Sequence, residues 1–234
     1  MNLDIDAGNT FVKWRRSDGR RGRVFTSSLN QGWPDDWSAC FNIIRVASVA
    51  GEAVNQQLVD GFAGTANPAP VFARTQARAA GVTNSYQEPA RMGVDRWLVM
   101  LAAYSKARGR CCVVDCGSAI TVDYIEADGR HQGGYIIPGL RLMQRGLLAN
   151  TAEIIVDQDP EAFTIEPGQH TSAAVVHGIN YAFQALAEKI VAELGETDRL
   201  YVTGGDGALF QHLCGRGEFV PELVLDGLVL GVQG

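Results

Sequence analysis

An internal repeat constrains this chain more than any other feature. Leu3-Asp4-Ile5-Asp6-Ala7-Gly8-Asn9-Thr10-Phe11-Val12 lines up with Cys112-Val113-Val114-Asp115-Cys116-Gly117-Ser118-Ala119-Ile120-Thr121. Each copy is an apolar run that ends in Asp-x-Gly and passes a small polar residue. Each then resumes as a second extended run, Phe11 to Arg15 in one and Ile120 to Ile125 in the other. A single copy is an ordinary tight hairpin in which Gly relieves a left-handed turn. Two copies half a chain apart predict two similar α/β halves, residues 1–110 and 111–234, facing each other across a cleft.

The remaining patterns fit that plan. Asn42 to Val49 reads as a buried strand, Glu52 to Phe62 as a helix, and Pro70 to Arg74 as a short strand in a loop. Trp97, Met100, Leu101 and Tyr104 recur at helical spacing, which predicts an amphipathic helix over Asp95 to Ala107. Gly133 to Gly139 reads as a strand leading into a helix over Leu140, Met143 and Leu147. Thr171 to Leu194 is the longest predicted helix, with its stripe at Val175, Ile179, Phe183, Leu186, Ile190 and Leu194. A last strand, Arg199 to Thr203, runs into Gly204-Gly205-Asp206-Gly207.

Composition narrows the function classes. A net charge of −6 argues against binding a nucleic-acid backbone. The one basic run, Arg15 to Arg23, is interrupted by Ser17, Asp18 and Gly19 and reads as a solvated hairpin. No apolar run approaches the ~18 residues that span a bilayer, and the acidic start lacks a secretory leader's pattern. The expectation is a cytoplasmic protein without membrane or nucleic-acid partners. Cys111, Cys112 and Cys116 lack the spacing of a zinc set and read as reduced core residues.

The Asp-x-Gly turns carry the chemistry. Phosphate needs closely approaching backbone N–H groups, which glycine permits, and Asn9, Thr10 and Ser118 add polar donors. Asp6 and Asp115 would hold the cations that neutralise phosphate, and Lys13 is in reach of a terminal phosphate or simply exposed. Neither GxxxxGK[ST] nor a GxGxxG after the first strand is present. Gly204 to Gly207 suits an adenine or ribose against bare backbone, or is a turn without a ligand. Asp95, ahead of a helix, is a candidate N-cap or a general base with Arg96 holding an anion. Thr171 similarly caps the long helix or presents a hydroxyl to a ligand.

Taken together, Asp6-x-Gly8-Asn9-Thr10-x-x-Lys13, Gly93-x-Asp95-Arg96, Asp115-x-Gly117-Ser118-Ala119-x-Thr121-x-Asp123 and Gly133-Gly134-x-Ile136-x-Pro138-Gly139 resemble the type III pantothenate kinases. His170-Thr171-x-x-Ala174-x-x-x-Gly178 and Gly204-Gly205 complete the series over nearly the whole chain. Each motif alone is weak, and the ordered series is specific. The resemblance implies an α/β fold of two ribonuclease-H-like halves in the actin-like ATPase superfamily. It implies ATP-dependent phosphorylation of pantothenate, the first step of coenzyme A biosynthesis, with magnesium and a monovalent cation, potassium or ammonium, in a homodimer. Carried over by residue, Asp6, Ala7, Gly8, Asn9, Thr10, Phe11, Val12, Lys13 and Ser118 contact ATP. Asp95 is the catalytic base and Asp115 the monovalent-cation ligand. Tyr86, Gly93, Val94, Asp95, Arg96 and Thr171 meet pantothenate. Ser118 stands where Thr is the more familiar residue, and the hydroxyl is kept. The rival readings are another small-molecule kinase on the same fold and a non-enzymatic transcriptional accessory factor.

Overall fold

The computed structural model describes residues 1–150 and 163–232. The chain forms two compact units. One takes Met1–Arg110, Ile125–Gly133 and Glu222–Gly234, and the other Cys111–Tyr124 and Gly134–Pro221.

In the first unit, β1 (Asn2–Ala7), β2 (Phe11–Arg16), β3 (Arg21–Phe25), β4 (Ile43–Ser48) and β5 (Val71–Phe72) form one sheet in the order β3-β2-β1-β4-β5. β2 is antiparallel to β1 and β3, whereas β4 runs parallel to β1 and β5. Strand periodicity sorts the residues. Leu3, Ile5, Ala7, Val12, Trp14, Ile44 and Val46 share a core with Leu58 and Phe62 of α1 (Glu52–Phe62). Each of the buried Leu, Ile, Val and Phe side chains contributes about 1.5–3 kcal/mol of transfer free energy. Asp4, Asp6, Lys13 and Arg15 alternate onto the opposite face, so the same pattern that builds the core sets out a row of charges. A short hairpin of β6 (Arg78–Ala79) and β7 (Val82–Thr83) leads to α2 (Val94–Ala107).

A second sheet repeats the plan with β8 (Cys111–Cys116), β9 (Ala119–Ile125), β10 (His131–Pro138), β11 (Arg199–Thr203) and β12 (Glu218–Phe219), in the order β10-β9-β8-β11-β12, all in the second unit except Ile125 and His131 to Gly133, which belong to the first. In both sheets the strand ahead of the Asp-x-Gly turn is central. The next two strands lie to one side of it and the last two to the other. The repeat in sequence is thus a repeat in topology. Residues from β8 and β9 pack with Phe183, Ala187 and Ile190 of α4 (Thr171–Glu193) and Phe210 of α5 (Gly207–Cys214). α3 (Leu140–Asn150) follows β10. Cys111, Cys112, Cys116 and Cys214 are free and buried, and Cys40 is exposed. Burial pushes the Cys111 thiol up to about 12, with Asp198 adding to the effect, so it stays protonated and inert.

Three differences from the sequence reading have physical causes. α2 is buried on more than one stripe, with Leu98, Val99, Ala102 and Ala103 covered as well. The C-terminal α6 (Leu223–Gly231) packs on its second side, and Gly227 lies so close to the Leu98 carbonyl that a Cβ would collide. The basic run is not wholly solvated: Arg16 is buried and pairs with Asp18, while Arg15 pairs with Asp226 at 2.7 Å. The strand expected over Pro70 to Arg74 shrinks to Val71–Phe72, because β5 is a sheet edge with a single neighbour.

Candidate active site

The first turn is closed by Gly8 N donating to the Phe11 carbonyl at 3.0 Å. Thr26 braces it, with Oγ1 donating to the Gly8 carbonyl at 2.7 Å. Asn9 and Thr10 are exposed at its tip. Ala7 and Val12 are fully buried, so of the residues assigned to ATP these two have only backbone to offer. Asp6 sits opposite Lys13, and Lys13 opposite Arg23, in adjacent strands. The Arg23 guanidinium lies 5.0 Å from the centre of the Phe11 ring, which stacks on Phe25. Burial pushes the Asp6 carboxyl up to about 6, Lys13 opposes the shift, and Asp95 adds to it. Asp6 therefore feels the charges of both Lys13 and Asp95.

Asp95 is not the N-cap of α2. Gly93 holds that position without a side-chain cap, and Asp95 is the second helical residue. Its Oδ1 accepts from Arg96 N at 2.8 Å, which satisfies one of the donors a helix start leaves open. A Cβ at Gly93 would stand 2.5 Å from the same oxygen, so glycine there leaves room for the carboxylate. Arg96 is buried, and its Nη1 donates to the Tyr86 hydroxyl at 2.8 Å. Val94 is also largely buried.

In the second unit the turn is one residue tighter, with Gly117 N donating to the Ala119 carbonyl at 3.1 Å. Ser118 is exposed on it. Two segments seat against this turn: Asp206 N donates to the Cys116 carbonyl, and Gly139 N to the Ser118 carbonyl, both at 3.0 Å. At Gly204, where φ is +91°, a Cβ would stand 2.5 Å from Asp115 Oδ1. The glycine cluster after β11 therefore lies against the Asp115 carboxylate, with no room for a side chain. Burial raises the Asp206 carboxyl, and Arg141 opposes it. Among the described residues no group of three His, Cys, Asp or Glu side chains could hold a metal. A carboxylate such as Asp115 is a hard oxygen donor, of the kind that suits a hard cation whose shell a ligand completes.

Thr171 is the first residue of α4 and exposed. The cap is His170, whose Nδ1 accepts from Ala173 N at 3.4 Å, so the capping alternative for Thr171 gives way. Thr171 lines a groove of about 1060 Å³ with Leu142, Met143, Leu147, Ala174 and Ala182. Tyr86 and Gly93 to Arg96 belong to the first unit, and Asp115, Ser118 and Thr171 to the second. Two charged residues at these sites escaped the sequence reading. Arg23 was traceable from hairpin register opposite Lys13, whereas nothing local marked Arg141 as a neighbour of Asp206.

Comparison with known proteins gives a consistent result. The family description "Type III pantothenate kinase" matches residues 2–193. A type III pantothenate kinase of Chromohalobacter salexigens is 38% identical, covering 98% of this chain and 84% of the relative. One of Marinobacter nauticus is also 38% identical, covering 97% and 96%. Among solved structures, a Campylobacter jejuni protein described as a Baf family transcriptional activator superposes with a TM-score of 0.61 at 22% identity, over 97% of this chain and 94% of the other. A Sinorhizobium meliloti protein described as a 2-dehydro-3-deoxygalactonokinase gives 0.57 at 14% identity, over 97% of both. At such identities the structural likeness carries the fold alone.

Proposed function

The chain belongs to the type III pantothenate kinase family, and from that premise we propose how its residues divide the work of phosphorylating pantothenate with ATP. Phosphoryl transfer asks a protein for positioning and charge neutralisation more than for covalent chemistry. The first turn, Asp6 to Lys13, and Ser118 of the second contact ATP, with Lys13 directed at phosphate. Asp6 holds the divalent cation that accompanies ATP in kinases, and Asp115 a monovalent cation, potassium or ammonium. Tyr86, Gly93 to Arg96 and Thr171 meet pantothenate. Asp95 accepts the proton of its primary hydroxyl as that oxygen bonds to the terminal phosphorus and the bond to ADP breaks. The protein acts in the cytoplasm as a homodimer.

The observation that supports this division best is the start of α2, where Gly93 holds the cap and Arg96, next to Asp95, donates to the Tyr86 hydroxyl at 2.8 Å. With the cap position taken by Gly93, the Asp95 carboxylate is left to a role besides capping, beside an arginine and a tyrosine assigned to the same substrate. The experiment is Asp95→Asn, with ATP affinity, turnover and melting temperature measured together. Turnover should fall on the order of 10²–10⁴-fold while affinity for ATP and thermal stability hold. Full turnover with a lowered melting temperature would reduce Asp95 to a helix-start residue.

A further inference from the structure

Tyr86 is held from behind by a histidine that no motif includes. His131 opens β10 and is 1% exposed. Its Nδ1 shares a 3.0 Å hydrogen bond with Ser85 Oγ, and its ring lies against Tyr86, centroids 6.4 Å apart with planes 26° from parallel. Tyr86 in turn accepts from Arg96 Nη1, and the Arg96 guanidinium sits 5.7 Å from the centre of the Tyr86 ring.

Neighbouring contacts fix both ends of this stack. Asn84, itself buried, accepts from Tyr86 N at 2.9 Å through Oδ1. The turn before His131 is docked by Thr83 N on the Gly129 carbonyl at 2.9 Å and by the Tyr104 hydroxyl, which donates to the Ala127 carbonyl at 3.0 Å. A buried imidazole needs its polar atoms satisfied, and here the bond that satisfies one of them also ties the ring to the residue next to Tyr86.

We propose that His131, with Ser85, is a positioning residue for the pantothenate subsite: it fixes the Tyr86 ring, and through the Tyr86 hydroxyl the Arg96 guanidinium beside Asp95. This rests on the assignment of Tyr86 and Arg96 to pantothenate made above. Neither His131 nor Ser85 touches substrate in this account. Their effect is on how well Tyr86 and Arg96 are preorganised, so it belongs in pantothenate binding rather than in ATP binding.

The test compares Ser85→Ala, His131→Phe, His131→Asn and Tyr86→Phe in the full chain, reading KM for each substrate, kcat and melting temperature. Ser85 is exposed, so Ser85→Ala removes the hydrogen bond with little risk to folding. His131→Phe keeps a ring and loses the bond, and His131→Asn restores a polar group near Nδ1. Ser85→Ala and His131→Phe should each raise KM for pantothenate about tenfold, the scale of one lost hydrogen bond, and leave KM for ATP unchanged. Because they break the same bond, the double variant should be no worse than His131→Phe alone, and His131→Asn should recover part of the loss. If Tyr86→Phe raises KM for pantothenate while the Ser85 and His131 variants change only melting temperature, the positioning role is wrong and the subsite stands. If Tyr86→Phe also leaves it unchanged, the subsite assignment fails and the positioning role with it.

Discussion

Asp6 and Asp95 are like charges in one neighbourhood, yet the larger influence on Asp6 is its removal from water, which Lys13 only partly offsets. A carboxyl raised from 3.8 to about 6 is favoured in its protonated form by the fold. The stability this confers is present below the unfolded value and is lost as pH rises through about 6. Asp6→Asn cannot titrate, so it should gain stability relative to the wild type between pH 3.8 and about 6 and hold that gain above. Allowing for the partial exposure of Asp6, the gain should be about 1–2 kcal/mol, read by urea unfolding across the pH series. A constant difference at all pH values would show that Asp6 is not desolvated. Near neutrality the ionised carboxylate is held at a cost that a bound cation relieves, which suits a residue whose partner arrives with the nucleotide.

At the scale of elements, the two Asp-x-Gly turns and the strands around them were legible because the signal is local. A strand's alternation and a glycine turn are written in consecutive residues. α4 was legible for the same reason, and its observed span, Thr171–Glu193, is close to the periodic stripe. What local pattern could not show was who covers whom. Val191, outside the stripe in sequence, also packs toward the core of the second unit. The capping alternatives at Asp95 and Thr171 gave way because Gly93 and His170 hold the cap positions. The second side of α2 was invisible until α6 lay on it. Gly227→Ala should therefore destabilise the protein by about 1–3 kcal/mol through overpacking against the Leu98 carbonyl, measured by chemical denaturation. An unchanged midpoint would mean that α6 and α2 do not pack this closely.

For the whole molecule, the family and fold class followed from motifs in order, whereas assembly rests on surface character. Tyr135, Ile136 and Tyr181 are 58%, 65% and 63% exposed in the second unit, and Ala182 is exposed next to Tyr181. The proposed homodimer would bury exposed apolar side chains of this kind, and two-fold pairing is the commonest assembly. If the proposed homodimer pairs through Tyr181, Tyr181→Glu should convert it to monomers in light scattering across a dilution series. A wild type that is fully active as a monomer at every concentration would contradict the homodimer. Among the described residues no helix is long and apolar enough to cross a membrane.

The most direct measurement of the central claim follows the terminal phosphate of labelled ATP with magnesium present and pantothenate or a panel of sugars as acceptor. It is run once with potassium and once with sodium as the only monovalent cation. The label should appear on pantothenate and not on the sugars, and transfer should weaken when sodium replaces potassium. Label on a sugar, or none on pantothenate under either salt, would contradict the account, and equal transfer in both salts would remove the potassium assigned to Asp115.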